Sequence, residues 1–279
     1  MTDRLKVIKD HWNKIAVRFT ETANKHVTLQ CSQHLHSHMQ LSSAHNVLEV
    51  AAGAGLGSLD VVRYLLNDPS TLSNDTKRTY TVTDLSPVMV NLAEKNLSGV
   101  AMDIVEIKCK VANGQDLNEV ATGSVDRYIA SLCLQLTTDP DALLREASRT
   151  LASNGIAGFT IWGSPDRSGL FVISSASNKE LGIEENAGEH SNFSLGKDLL
   201  ALRQRFEAAG FKRMQIWPFQ CVVELWSGEN FAKFLQEMYP LENEELEAKR
   251  FAIIKRMADE WLAKGFPLGL ETYMILARK

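Results

Sequence analysis

The chain has 279 residues, 44% hydrophobic and 23% charged, a globular balance with room for one sizeable core or a core carrying an inserted cap. A formal net charge of −4 with dispersed basic residues speaks against an electrostatic track for nucleic acid. No run approaches the roughly 20 apolar residues of a membrane span, and Cys31, Cys109, Cys133 and Cys221 stand too far apart for a metal-type pair, which fits a reduced compartment better than a disulfide scaffold.

The N-terminal stretch MTDRLKVIKDHWNKIAVRF lacks a signal-peptide core. It is basic and amphipathic, as a transit peptide would be, but its acidic residues argue against one, so the expectation is a soluble cytoplasmic protein. Leu5, Ile8, Trp12, Ile15 and Phe19 recur at helical spacing, and a second helical stretch runs through Leu29, Leu35 and Met39, which predicts helices over residues 5–41. Within it, CSQHLHSHMQ puts Cys31, His34 and His38 on one helical face. That spacing is open to three readings: a polar surface, part of a metal site lacking a further ligand, or a His reaching a substrate as a base.

From residue 46 short apolar runs alternate with helical segments. Strands are predicted at 47–51, 79–83, 104–108 and 125–131, with helices at 57–66, 87–97 (Ser86 as N-cap) and 140–151. The stretch NGIAGFTIW reads as a turn and then a strand. This β-α alternation implies a parallel sheet covered by helices on both faces. Residues 163–195 are rich in Ser, Gly and Asn, with one weak apolar stretch at Leu170 to Ile173. A helix is predicted over 197–209 with Gly210 as its stop, a strand over 214–223, helices at about 230–239 and 243–264 interrupted by Pro240, and a last strand in ETYMILARK. NEELEAKR reads as a solvated helix face with local charge pairs.

The most informative stretch is VLEVAAGAGLGS, residues 47–58. A strand ending in glycines before a helix presents backbone N–H groups and lets a ligand approach the main chain. It can also be a tight turn with no ligand. A dinucleotide fingerprint fits poorly: Gly53, Gly55 and Gly57 run in alternation, the third one place early, and Glu49 is foreign to that motif.

Glu49-Val-Ala51-Ala-Gly53-Ala-Gly55 resembles the acidic-x-Gly-x-Gly-x-Gly loop of class I S-adenosylmethionine-dependent methyltransferases, with Ala51 at the first glycine position, as in the ubiquinone/menaquinone-type branch. The resemblance implies that this turn holds the amino-acid end of S-adenosylmethionine. TVTDLSPVMVNLAEKN, 81–96, resembles the second-strand motif, which implies that Asp84 accepts both ribose hydroxyls and that Leu85 and Met89 pack near the adenine. Asp84 is alternatively a helix-dipole partner. VANGQDL, 111–117, resembles the third-strand motif. It places Asn113 where an acidic residue usually meets the adenine amino group and gives Gly114 a backbone contact, although Asn-Gly is also simply a turn. SVDRYIASLCLQLTTDPDALLREASRTLASNGIAGFTIW, 124–162, resembles the fourth strand, its substrate-facing loop, the next helix and the fifth strand, and adds Ser131 to the cofactor residues.

The resemblance implies a single α/β domain over 1–279. Its fold is a Rossmann-like, doubly wound, mostly parallel seven-stranded sheet with an antiparallel last strand and a helical cap. The core spans about 45–223 and 271–279, and cap elements lie at about 5–41, 163–195 and 224–264. The implied reaction is in-line methyl transfer to a small-molecule acceptor, with positioning as the main source of rate. Where relatives often carry His, this chain reads Ser131-Leu-Cys133-Leu-Gln135-Leu136, so no catalytic base is assigned. Cys133, Gln135, Trp162 and His38 are candidates to line the acceptor site, with Trp217 joining Trp162 as an aromatic wall, and residues 228–264 with 5–41 are candidates for a water-excluding lid. A cofactor-binding protein without turnover and a nicotinamide-linked oxidoreductase are the competing readings. Neither a metal, a nucleic acid nor a membrane is expected as partner.

Overall fold

A computed structural model describes residues 3–67, 77–100, 104–183 and 190–279. The chain opens with one helical run rather than two separate helices: α1 (Asp3–Phe19), a π-helical section Thr20–Thr28, and α2 (Leu29–His36). In the π section the Leu29 N–H donates to Asn24 O, five residues back. Thr20 Oγ1 and Thr22 Oγ1 each donate to the carbonyl four residues earlier at 2.7 Å, and such back-bonding loosens and bends a helix. Ala16, Ala23, Val27, Cys31 and Leu35 form the buried stripe of the run.

The alternating region folds as its periodicity predicts, into β1 (Asn46–Val50), α3 (Leu56–Leu66), β2 (Arg78–Asp84), α4 (Pro87–Leu97), β3 (Val105–Val111), β4 (Val125–Ser131), α5 (Pro140–Thr150) and β5 (Leu151–Trp162). After these come α6 (Gly169–Glu180), α7 (Leu199–Ala208), β6 (Arg213–Glu224), α8 (Gly228–Met238), α9 (Glu244–Ala263) and β7 (Leu268–Arg278). The seven strands lie in the order β3-β2-β1-β4-β5-β7-β6. Strands β1 to β5 pair in parallel, and β7 runs antiparallel between β5 and β6. The sheet is the Rossmann-like, mostly parallel one that the sequence implies.

Alternation along β1 splits the core in two. Val47 faces a layer with Val61, Val62 and Leu65 of α3 and Ala93 of α4. Leu48 and Val50 face Leu143, Leu144 and Ala147 of α5, with Phe206 of α7 farther along. Burying both faces is what a parallel sheet requires. The chain builds outward from β1 to β3 and then returns to β4 on the other side, so the gap beyond the ends of β1 and β4 is the topological switch point where ligands of such sheets bind.

Three sequence expectations shift. Strand β3 runs to Val111 instead of 108, because its pairing with β2 continues to Asp84↔Val111. Asn154-Gly155 is not a turn before a strand but lies inside β5, at an irregularity where the β4 register slips between Val125 and Arg127. Helix α6 fills the stretch that looked loose; only Gly169, Leu170, Ile173 and Ser177 of it are buried, too narrow a stripe to show as periodicity. Residues 184–189 of that stretch lie outside the described residues. No helix among the described residues is long and apolar enough to cross a membrane.

Candidate active site

The glycine turn after β1 is built from left-handed backbone. Ala51, Gly53 and Gly55 have φ of 55°, 59° and 76°, so the alternation in the sequence is an alternation of conformation. Ala51 adopts the same geometry despite its Cβ, at a cost of about 1–2 kcal/mol. The turn's own donors are largely committed. The Ala52 N–H goes to Thr83 O at 2.9 Å, the Gly53 N–H to Asp84 Oδ2 at 2.9 Å and the Gly55 N–H to Ala52 O at 3.2 Å. Gly55 caps α3 and packs on α4, where an added Cβ would stand 3.1 Å from Ala93 Cα. Its role is to fit the turn to α4.

Asp84 ends β2 and ties the turn to α4. Its Oδ1 accepts from the Ser86 N–H at 2.8 Å while Oδ2 holds Gly53, so each oxygen keeps acceptor capacity for one more donor. Burial pushes its carboxyl above the ordinary value, and the Ser86, Gly53 and Leu85 N–H groups oppose that shift. Ser86 caps α4, as predicted, by accepting from the Met89 N–H at 3.1 Å. Glu49 is buried beneath the turn, its Oε2 accepting from Ser58 Oγ and Tyr80 Oη. Asn113 closes an Asx-type turn, its Oδ1 taking both Gln115 donors at 3.1 Å. Gln115 Oε1 in turn accepts from Thr138 Oγ1 and the Asp139 N–H, linking this loop to the start of α5.

These residues open onto one cleft of about 1040 Å³ including its mouth. Glu49, Ala51, Gly53, Asp84, Leu85, Met89, Asn113, Gly114, Ser131 and Cys133 all line it, so the structure gathers nine of the ten cofactor candidates together with Cys133. Gly55 does not line the cleft, for the packing reason above. The other substrate candidates lie outside its lining. Gln135 turns its amide back to Leu132 O. Trp162 is buried, stacked on Phe171 at 3.9 Å and edge-on to Phe193. His38 is exposed and bonded to His34 O at 3.0 Å. Trp217 donates to His34 Nε2 at 3.2 Å on a strand two removed from Trp162, so the two do not form a wall. Desolvation lowers the pKa of His34, in keeping with its role as a neutral acceptor.

The cleft's remaining wall comes from where sequence reasoning placed only a general cap. Leu5, Ile8, Trp12 and Phe19 of α1 line one side, and Asn24, Thr28 and Ser32 follow along the same run. The helix is docked by Asn13 Oδ1, which accepts from Ser86 Oγ at 2.7 Å, and by Ala16, Trp12 and Phe19 packing around Met89. No residue of 228–264 lines the cleft; α8 instead meets the π section through the His26–Phe234 ring contact. Among the described residues no cluster of His, Cys, Asp or Glu could hold a metal, and Cys31 faces Cys221 at 3.2 Å rather than a histidine.

Residues 48–159 match the methyltransferase domain family. The methyltransferase ucsB of Acremonium sp is 28% identical over 144 residues, 50% of this chain and 47% of that protein, so the chain spans about half the length of that curated relative. Solved structures share the fold over nearly the whole chain. The [4+2]-cyclase SpnF superposes with a TM-score of 0.60 at 16% identity, covering 100% of this chain and 97% of that one. A SAM-dependent methyltransferase from Thermotoga maritima gives 0.53 at 15%, covering 98% and 100%. Residues 48–159 thus carry a methyltransferase domain. The cofactor that this domain implies is S-adenosylmethionine. A similar fold with TM-score 0.50 and 14% identity, covering 84% of this chain and 49% of that one, is the Haemonchus contortus phosphoethanolamine methyltransferase 2 complexed with S-adenosylhomocysteine.

The residues present fit that cofactor. Asp84 offers two further acceptor positions, enough for a ribose diol. Leu85 and Met89 offer apolar surface beside it, and the crevice is at the switch point. The bound cofactor supplies an electrophilic methyl group. The chain's own part is to orient it, and among the described lining residues Glu49, Asp84 and Cys133 are the only titratable groups. Burial pushes the Cys133 thiol up to about 12, so it stays protonated at neutral pH.

Proposed function

We propose that this methyltransferase moves the methyl group of S-adenosylmethionine to a small, largely apolar acceptor. Asp84 would grip the ribose, Asn113 and Gly114 would border the adenine, and the turn at 51–53 with Ser131 would carry the amino-acid end. The observation that carries this reading is the composition of the cleft. Beyond the cofactor residues it is walled by Leu5, Ile8, Trp12, Phe19, Leu132, Leu136 and Leu143, with no basic side chain among the described lining residues. Such a wall suits an apolar body and gives a phosphate backbone or an acidic peptide nothing to hold.

Glu49 is tied to Ser58 and Tyr80, Asp84 to two backbone donors, and Cys133 is a buried thiol. The described residues thus place no free base beside the acceptor, which on this reading brings its own electron pair as an amine, a thiolate, an enolate or an ionised phenol. Catalysis is then alignment of that pair with the S–CH₃ axis and exclusion of water by α1. The helices at 3–36, 169–180 and 228–263 are, on this reading, additions to one methyltransferase domain.

The test is calorimetry with S-adenosylmethionine and S-adenosylhomocysteine, followed by a labelled-methyl screen of quinones, phenols, amines and thiols. Label transfer to one of these classes supports the proposal, and transfer only to nucleic acid or protein refutes it. The naming of SpnF as a [4+2]-cyclase gives a second reading, in which the same fold binds the cofactor and frames another reaction. Tight cofactor binding without transfer to any acceptor favours that alternative.

A further inference from the structure

Asn24 sits in the π section of the N-terminal run, outside residues 48–159 that carry the family match. It is 7% exposed and lines the cleft, yet its Oδ1 has no hydrogen-bond partner. Neighbouring polar residues on the same face are spoken for. Ser32 Oγ donates to Thr28 O at 3.2 Å, and Thr28 Oγ1 lies 3.5 Å from Asn24 O. A buried amide oxygen without a donor is uncommon and destabilising unless a ligand supplies one.

The position of Asn24 says which ligand group that is. Its Nδ2 lies 3.7 Å from where a Cβ on Gly53 would be, directly over the glycine turn. A zwitterionic amino-acid tail resting on this turn needs an acceptor for its ammonium. The N–H groups of Ala52, Gly53 and Gly55 are committed, and they are donors in any case. Glu49 lies below, with Oε2 engaged by Ser58 and Tyr80.

We propose that Asn24 is a cofactor-recognition residue whose Oδ1 accepts a hydrogen bond from the α-ammonium of S-adenosylmethionine. The inference rests on the reading that the turn at 51–53 carries the amino-acid end. It makes the N-terminal run a part of the cofactor site, because the residue that reads the ammonium is continuous with the helix that walls the acceptor space. The residue lies within the widened π turn, in keeping with the frequent occurrence of such turns at functional sites.

The test compares S-adenosylhomocysteine, which has the amino-acid end, with 5′-methylthioadenosine, which lacks it, by calorimetry on the full chain. Asn24→Ala and the near-isosteric Asn24→Leu should each weaken S-adenosylhomocysteine about tenfold or more and leave 5′-methylthioadenosine within about twofold. Without ligand, Asn24→Leu should melt no lower than the wild type, since the amide it removes is unpaired. Unchanged S-adenosylhomocysteine affinity in both variants overturns the proposal. So does equal weakening of both ligands, which would mean that Asn24 only shapes the cleft. If the wild type binds neither ligand, the cofactor reading falls with it. Failure of the small-acceptor reading appears only in turnover and leaves these affinities as they are.

Discussion

Asp84→Asn isolates the proposed ribose contact with little change of shape. The wild-type carboxylate has two oxygens, each holding one N–H and each able to accept another donor. The amide keeps one oxygen, so one of the two ribose hydroxyls loses its acceptor and meets an NH₂ donor instead. A hydrogen bond to a charged group is worth about 1.5–3 kcal/mol, which converts to a roughly ten- to hundredfold weaker complex. Calorimetry with S-adenosylhomocysteine reads this directly, with thermal melts as a check on folding, because the amide also deprives either Gly53 or Ser86 of its acceptor. The pH dependence is a second handle. Burial raises this carboxyl above its ordinary value of 3.8. In the unliganded protein the stability it contributes is therefore fully present below its unfolded pKa and is lost as pH rises through the folded one. Ribose donors favour the charged form, so wild-type affinity should fall as pH drops through the raised pKa, with onset above the ordinary value, and the Asn variant should lack that component. Equal affinity in the two proteins, or an unchanged pH profile, would refute the assignment.

Ala51→Gly should raise stability by up to about 1.6 kcal/mol: left-handed geometry costs an L residue about 1–2 kcal/mol, less about 0.4–1 kcal/mol for the freer unfolded glycine. A higher urea midpoint at unchanged m value is expected, and a lower midpoint would show that the methyl group's packing matters more. Cys133, with its thiol pushed up to about 12, should resist iodoacetamide at pH 8 in the native protein, and Cys133→Ala should keep cofactor affinity; rapid native labelling would mean the thiol is exposed and ionised. The double variant His34→Ala with His38→Ala should leave cofactor binding and turnover unchanged, because both rings sit with Trp217 away from the cleft, and a drop in turnover at intact affinity would restore a His as base.

The parts of the site that depend on backbone geometry were legible in the sequence. Alternating small residues after an apolar run marked the left-handed turn, and an acid at the end of the second strand marked Asp84. Four short motifs in order were enough for the sheet and its switch point. The features that the sequence concealed were tertiary. Gly55 looks like its neighbours in the motif, and only its approach to Ala93 shows that it serves packing. Trp162 is a plausible wall residue until Phe171 and Phe193 are seen to enclose it. Asn24 carried no functional signal. Its spacing from Val27 and Cys31 sets it on the inward face, but a polar residue there does not announce a ligand contact, and nothing in TETANKHVT announces that the helix widens there.

Backbone strain in this molecule is concentrated where the ligand would lie. Among the described residues the non-glycine positions with left-handed φ are Gln40, Ala51 and Leu132, and two of the three line the cleft, just past the ends of β1 and β4. Each of those two is fixed from a neighbouring strand: the Ala52 N–H donates to Thr83 O beyond Ala51, and the Leu132 N–H to Thr160 O at 2.9 Å. Such conformations persist only when the surroundings over-determine them, and here the sheet does so. With both strand ends turned out of the extended direction, the crevice at the switch point is held open by main chain rather than by bulky side chains. The side chains around it are then free to vary without closing it. On the small-acceptor reading, this divides the labour: the sheet ends set the cofactor, and the choice of acceptor falls to α1 and residues 132–137, whose side chains complete the wall.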